Sequence, residues 1–130
     1  MTSKIVFKNG TELETLAVFS TKEIIENAYR EKFEIRFPET VTIEQINAAA
    51  TADNLAEIAL KEFNESGEET ASYTYLNFSM LRGVGFKIGD TGERYNALEI
   101  AQLSTLELAQ KAQAAELAAL QEKIKGLLAE

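Results

Sequence analysis

Side chains able to do chemistry are few in this chain. Its 130 residues include no histidine and no cysteine. Histidine is the commonest general base near neutral pH and the commonest transition-metal ligand, while thiolate chemistry and disulfides both need cysteine. Acid–base work would therefore fall to carboxylates. Aspartate occurs only at Asp53 and Asp90, and no run of closely spaced oxygen ligands resembles a calcium loop. Glutamates are numerous, but most sit in patterns expected of solvated strand and helix faces. A catalytic carboxylate pair could arise only through folding. Gly83-x-Gly85, with Gly89 beyond, lacks the spacing of a dinucleotide fingerprint, and a strand pattern rather than a helix follows it. A bulge or sharp twist is expected there instead. Tyr73, Tyr75 and Phe78 could stack on bases, yet Arg82 is the only cation near them. Core and edge packing accounts for them better, with an exposed tyrosine pair at a protein interface second. No catalytic residue, cofactor site or metal site is assigned, and a non-enzymatic protein is expected.

The spacing that does carry a physical meaning lies at residues 103–130. Ser104-Thr105-Leu106-Glu107 has the capping-box form, in which the Ser104 hydroxyl accepts a backbone N–H three residues on and Glu107 reaches back. Ala, Leu, Glu, Gln and Lys follow, all good helix formers, with Gly126 as a breaker only near the end. About 25 residues of helix would run roughly 37 Å, more than a small domain needs to cover its own face. With Leu103 placed at a, Leu106, Gln110, Gln113, Leu117, Leu120, Ile124 and Leu127 fall on alternating d and a positions of a left-handed coiled coil. The two glutamines weaken the seam but can set its register. Glu116 and Lys123 flank it at g, and Leu108, Ala112, Ala115 and Ala119 lie on the other face. Three partners fit such a helix: the chain's own sheet, further copies of the chain, or a different protein. Folding onto the sheet would want a wider apolar stripe than a strict a/d seam provides.

The residues before it read as a small β-rich body, residues 1–102. Residues 4–8 make a short strand, and Asn9-Gly10 is a strong hairpin turn. The returning strand, 11–19, switches face near Thr15, which predicts a bulge or bend. Ser20-Thr21-Lys22-Glu23 is a second capping box, so a helical turn or two is expected over 20–28. Residues 31–37 alternate cleanly, with Phe33, Ile35 and Phe37 on one side and Glu34 and Arg36 on the other, until Pro38 ends the strand. Thr42-Ile43-Glu44-Gln45 opens a short helix that buries Ile43, Ile46 and Ala50. Residues 53–63 fit helix and strand equally. Residues 64–70 are a polar turn, 72–88 are β again, 89–92 a hairpin loop, and 94–102 the last strand, with Leu98 and Ile100 inward. The expected fold class is α+β: a small antiparallel β body with short connecting helices and a long C-terminal helix.

Lys and Arg number 13 against 21 Asp and Glu, a formal charge of −8. That balance disfavours binding to phosphate backbones and anionic membranes. No apolar run approaches the roughly 18 residues of a membrane span, and residues 1–4 lack a signal-peptide core, so a chain made in the cytoplasm is expected.

The layout resembles a class of small tailed-bacteriophage virion proteins, from tail, baseplate or fibre base. The resemblance rests on Ile5-Val6-Phe7-Lys8-Asn9-Gly10-Thr11-Glu12, on Phe33-Glu34-Ile35-Arg36-Phe37-Pro38-Glu39, on the β pair around residues 75–80, and on Ile100-Ala101-Gln102 leading to Leu117-Ala118-Ala119-Leu120-Gln121. It has no invariant signature residue. It implies a structural protein that forms a homo-oligomer, most often threefold, beside neighbouring virion proteins, with no nucleic acid and no membrane as partner. The competing expectation is an acidic protein that blocks a nucleic-acid enzyme by mimicking phosphates. Basic residues such as Arg30, Lys32, Arg36 and Lys87 are interspersed among its carboxylates and weaken that reading.

Overall fold

The computed structural model describes residues 2–129, so Met1 and Glu130, the outer ends of the two expected segments, lie outside the described residues. Strand β1 (Thr2–Phe7) turns into β2 (Glu12–Thr15) with Ile5 opposite Leu13. Only the glycine of Asn9-Gly10 uses positive φ, at 90°. Asn9 serves differently: its Oδ1 accepts the Thr11 N–H at 3.0 Å. The face switch near Thr15 is a change of sheet. β2 stops, Leu16 donates its N–H to the Arg36 carbonyl at 2.7 Å, and β3 (Ala17–Ile25) continues in a second sheet.

Residues 20–25, expected to turn helically, belong to this strand. β3 pairs antiparallel with β4 (Ala28–Phe37) from Ala17↔Arg36 to Ile25↔Ala28. Ser20 does not cap a helix; its hydroxyl donates across the ladder to Glu31. The turn is Glu26-Asn27, with φ of 48° and 64°, the two consecutive positive values that match the twist of a tight hairpin. A continuous ladder outweighed a local capping signal.

After Pro38, the expected short helix α1 (Ile43–Ala49) opens with a capping box at Thr42; it buries Ile46 and Ala49, with Ala50 buried just beyond, while Ile43 is only half-buried. Residues 53–63 divide: a single 3-10 turn at Asn54–Ala56, then β5 (Glu57–Phe63). β5 lies between β1 and β6 (Glu69–Leu76), and pairing on both edges explains why strand prevails over a helix-friendly composition. The β expected over 72–88 is two strands. Asn77 breaks it with φ 68°, and β7 (Met80–Ile88) follows in the other sheet. The register of β7 shifts between Leu81 and Gly83, where the irregularity was expected. β8 (Arg94–Ala101) completes the body, and α2 (Thr105–Leu128) follows.

The fold is α+β, with two antiparallel sheets in the orders β2-β1-β5-β6 and β3-β4-β8-β7. Their inner faces share one core: Ile5, Phe7 and Ile58 from the first, Phe33, Ile35, Phe37, Leu98 and Ile100 from the second. Phe78, from the link between sheets, stacks on Phe33 at a ring separation of 4.4 Å, and Tyr75 meets Phe33 edge-on at 4.9 Å. Tyr75 and Phe78 thus pack inward, while Tyr73 stays exposed. Two buried asparagines fasten the α1 region to the core margin. Asn54 donates to the Ala49 carbonyl at 2.9 Å and Asn96 to the Val41 carbonyl at 2.8 Å.

Candidate assembly helix and its mounting

The body ends in a fixed root for α2. Gln102 donates its N–H to the Glu31 carbonyl at 3.0 Å and Leu103 to the Asn77 carbonyl at 2.8 Å, tying the residues before the helix to β4 and to the link between the sheets. Ser104 is the N-cap, and its reciprocal bonds with Glu107 form the capping box expected at that site. Leu103, assigned to the first a position, therefore lies outside the helix in the stretch leading to the cap. A seam on helix geometry starts at Leu106.

Arg30 locks this root. Its side chain is 2% exposed, a rare place for a guanidinium unless its donors are matched. Three of the five are: Nε donates to the Ile25 carbonyl at 2.8 Å, and Nη1 donates to the Gln102 carbonyl at 3.0 Å and to the Glu107 carboxylate. One buried cation thus ties the tip of the β3–β4 hairpin, the end of the body and the first turn of α2. The Arg30 hydrogen bond, with those from Ser104, holds the Glu107 carboxyl at about 2. Nothing in the sequence joins Arg30 to Glu107; an arginine amid strand residues reads as a surface charge until folding brings the two together.

Beyond this root α2 stands clear of the body. No residue of it is buried. Leu106, Leu117, Leu120, Ile124 and Leu127 are 68, 56, 53, 46 and 72% exposed, and Gln110 and Gln113 are exposed as well. Folding of the helix onto its own sheet, one of the three expected arrangements, is not adopted. The helix is roughly 36 Å long at 1.5 Å per residue, and it carries an apolar row that no other described part of the chain covers.

Folding does bring carboxylates together on the outer face of the second sheet. Glu34 and Glu99 sit opposite each other on β4 and β8. Lys87 lies between them, with Nζ at 3.0 Å from Glu34 and 2.9 Å from Glu99, and Lys32 reaches Glu99 and Glu23. The Lys87 hydrogen bond pulls the Glu99 carboxyl below its ordinary range. Burial pushes Glu34 upward, but Lys87 and Arg36 outweigh it and the net direction is down. A general acid needs the opposite displacement. Arg36 is sandwiched between the rings of Phe19 and Tyr95, at 4.3 and 4.4 Å. This face is a tied-down lattice of opposite charges. Among the described residues, no helix is long and apolar enough to cross a membrane.

Compared with protein-family models, curated proteins and solved structures, the chain matches none of them.

Proposed function

We propose that this chain is a structural assembly protein whose C-terminal helix bundles with copies of itself, the β body serving as the head that the bundle carries. The observation behind the proposal is the bare row Leu106, Leu117, Leu120, Ile124 and Leu127 on a helix that meets its own body only at its first turn. Most helical stability in proteins comes from packing an apolar face, and the body gives this helix no such packing. A second copy supplies that packing with identical spacing. The bundle would gain roughly 25 cal/mol for each Å² of apolar surface it covers. A threefold bundle is the order that the likeness to phage virion proteins implies. By the same likeness, its neighbours are other proteins of a tail or baseplate.

Sedimentation equilibrium over a wide concentration range tests the reading. The full chain should weigh a whole-number multiple of its 14.4 kDa, and Leu117→Asp with Leu120→Asp should return it to a monomer with the body still folded. A full chain that remains monomeric throughout would remove the proposal. The acidic-inhibitor reading is weaker on physical grounds. A phosphate mimic needs unneutralised carboxylates in rows, whereas Glu34, Glu99 and Glu23 each share a lysine.

A further inference from the structure

Resting on the self-association just proposed, the structure points to its geometry: we infer that the helices run parallel and in register, gathering the bodies at one end, where each β3–β4 hairpin is covered by a neighbouring copy. Two independent features carry this.

The first is the order of residues along the seam. Gln110 and Gln113 are adjacent seam positions, with Leu117, Leu120, Ile124 and Leu127 following. In a parallel, in-register bundle each position meets its own copies. Amide then faces amide, where each can donate to and accept from the next, and apolar layers stay apolar throughout. Turning one helix round so that Leu117 meets Leu120 sets Gln110 against Leu127 and Gln113 against Ile124. Each amide then enters an apolar layer with no polar partner, a costly burial. That arrangement does bring Glu116 near Lys123, but an exposed pair of this kind contributes little. Sliding the reversed helices toward their C-terminal ends leaves only the last turns in contact and strands Leu106. Sliding them the other way matches Gln110 with Gln113 and Leu106 with Leu117, but sets Leu120 against Leu103, outside the helix, and carries Ile124 and Leu127 past the start of α2 into the body.

The second feature is at the helix root. β4 pairs with β8 only from Lys32 onward, so the part of the β3–β4 hairpin nearest Glu26-Asn27 runs on past the sheet as a two-stranded ribbon. Arg30 holds one face of that ribbon to the first turn of α2. On the other face Ile24 and Tyr29 sit directly opposite each other, 76 and 72% exposed. An apolar cross-strand pair exposed at the tip of a ribbon is an unusual surface for a lone body. A parallel bundle brings other bodies to this same end of the helix. An antiparallel one sends them to the far end of a rod roughly 36 Å long and leaves Ile24 and Tyr29 in water.

The absence of native cysteine makes the test direct. Leu106→Cys and Leu127→Cys are prepared separately, one with a mass tag, then mixed, re-equilibrated and oxidised. Disulfides linking each variant to itself, with none joining the two variants, are expected. Failure of either variant to link to itself, or a dominant product joining the two, overturns the parallel geometry while leaving self-association intact. A monomer in sedimentation overturns both. Separately, Ile24→Ser with Tyr29→Ser, at exposed sites that the body's core does not need, should raise the dissociation midpoint about tenfold. An unchanged midpoint, with unchanged body stability, would show that the hairpin is not covered and would overturn that part of the inference.

Discussion

At the scale of single residues, Arg30 and Glu107 hold the most consequential contact in the molecule. The guanidinium is buried and its carboxylate partner is partly exposed, so the two ends of the pair are not equivalent. Glu107→Gln keeps a side chain able to serve the capping box but leaves the buried cation without its counter-charge. It should destabilise the body by about 2 kcal/mol, the scale of a hydrogen bond to a charged group, read by urea denaturation. Arg30→Ala should also orphan the Ile25 and Gln102 carbonyls, loosening the hairpin and the helix root together. The pair sets a pH dependence as well. Glu107 titrates at about 2 in the folded chain and near 4.3 when unfolded. Between those values the unfolded state holds the extra proton, so stability is fully present above about pH 4.3 and is lost as pH falls toward about 2. Glu34 and Glu99 are displaced the same way and add to the loss. The acid denaturation profile of Glu107→Gln should therefore be shallower than that of the parent chain in this window, with the remaining slope coming from the Lys87 lattice.

At the scale of elements, one expectation overturned and one ambiguity resolved share a cause. Residues 20–25 carry the letters of a helix start, and residues 57–63 carry helix-friendly ones, yet both are strands. A capping box contributes through two local hydrogen bonds, whereas β3 forms a nine-residue ladder with β4 and β5 is paired on both edges. Such partners lie far away in sequence, so no short window reports them. Where a signal is local and nothing competes, it held: Ser104 caps as expected, a short helix opens after Thr42, and Gly10 turns the first hairpin. The hairpin tip retains a local misfit. Glu26 adopts φ 48°, a left-handed conformation that its side chain does not favour. Glu26→Asn should stabilise the body by about 0.5–1 kcal/mol in thermal or urea melts, with some of that gain offset by losing the exposed Glu26–Arg82 pair.

At the scale of the whole molecule, a body with a complete core carries a helix that contributes nothing to that core. Stability and assembly are therefore separable. Truncation after Lys111, which keeps Glu107 on Arg30, should leave the unfolding free energy of the body within about 0.5 kcal/mol of the parent measured below its dissociation midpoint, as expected for removing surface residues. It should also abolish oligomers. Helicity of the intact chain should fall on dilution, because α2 loses its packing as copies part; far-ultraviolet circular dichroism against concentration reads this. The amino-acid order alone determined the cap at Ser104, the long helix after it, the 3-4 spacing of its apolar row, the inward alternation of Phe33, Ile35 and Phe37, and the α+β class. Each of these is set within a few residues, by hydrogen bonds and periodicities that travel with the chain. Only the tertiary structure decided that Thr15 marks a change of sheet, that residues 20–25 are strand, that Arg30 meets Glu107, and that α2 leaves the body uncovered. Those outcomes depend on which distant segments pair and on which surfaces the closed sandwich leaves without a neighbour.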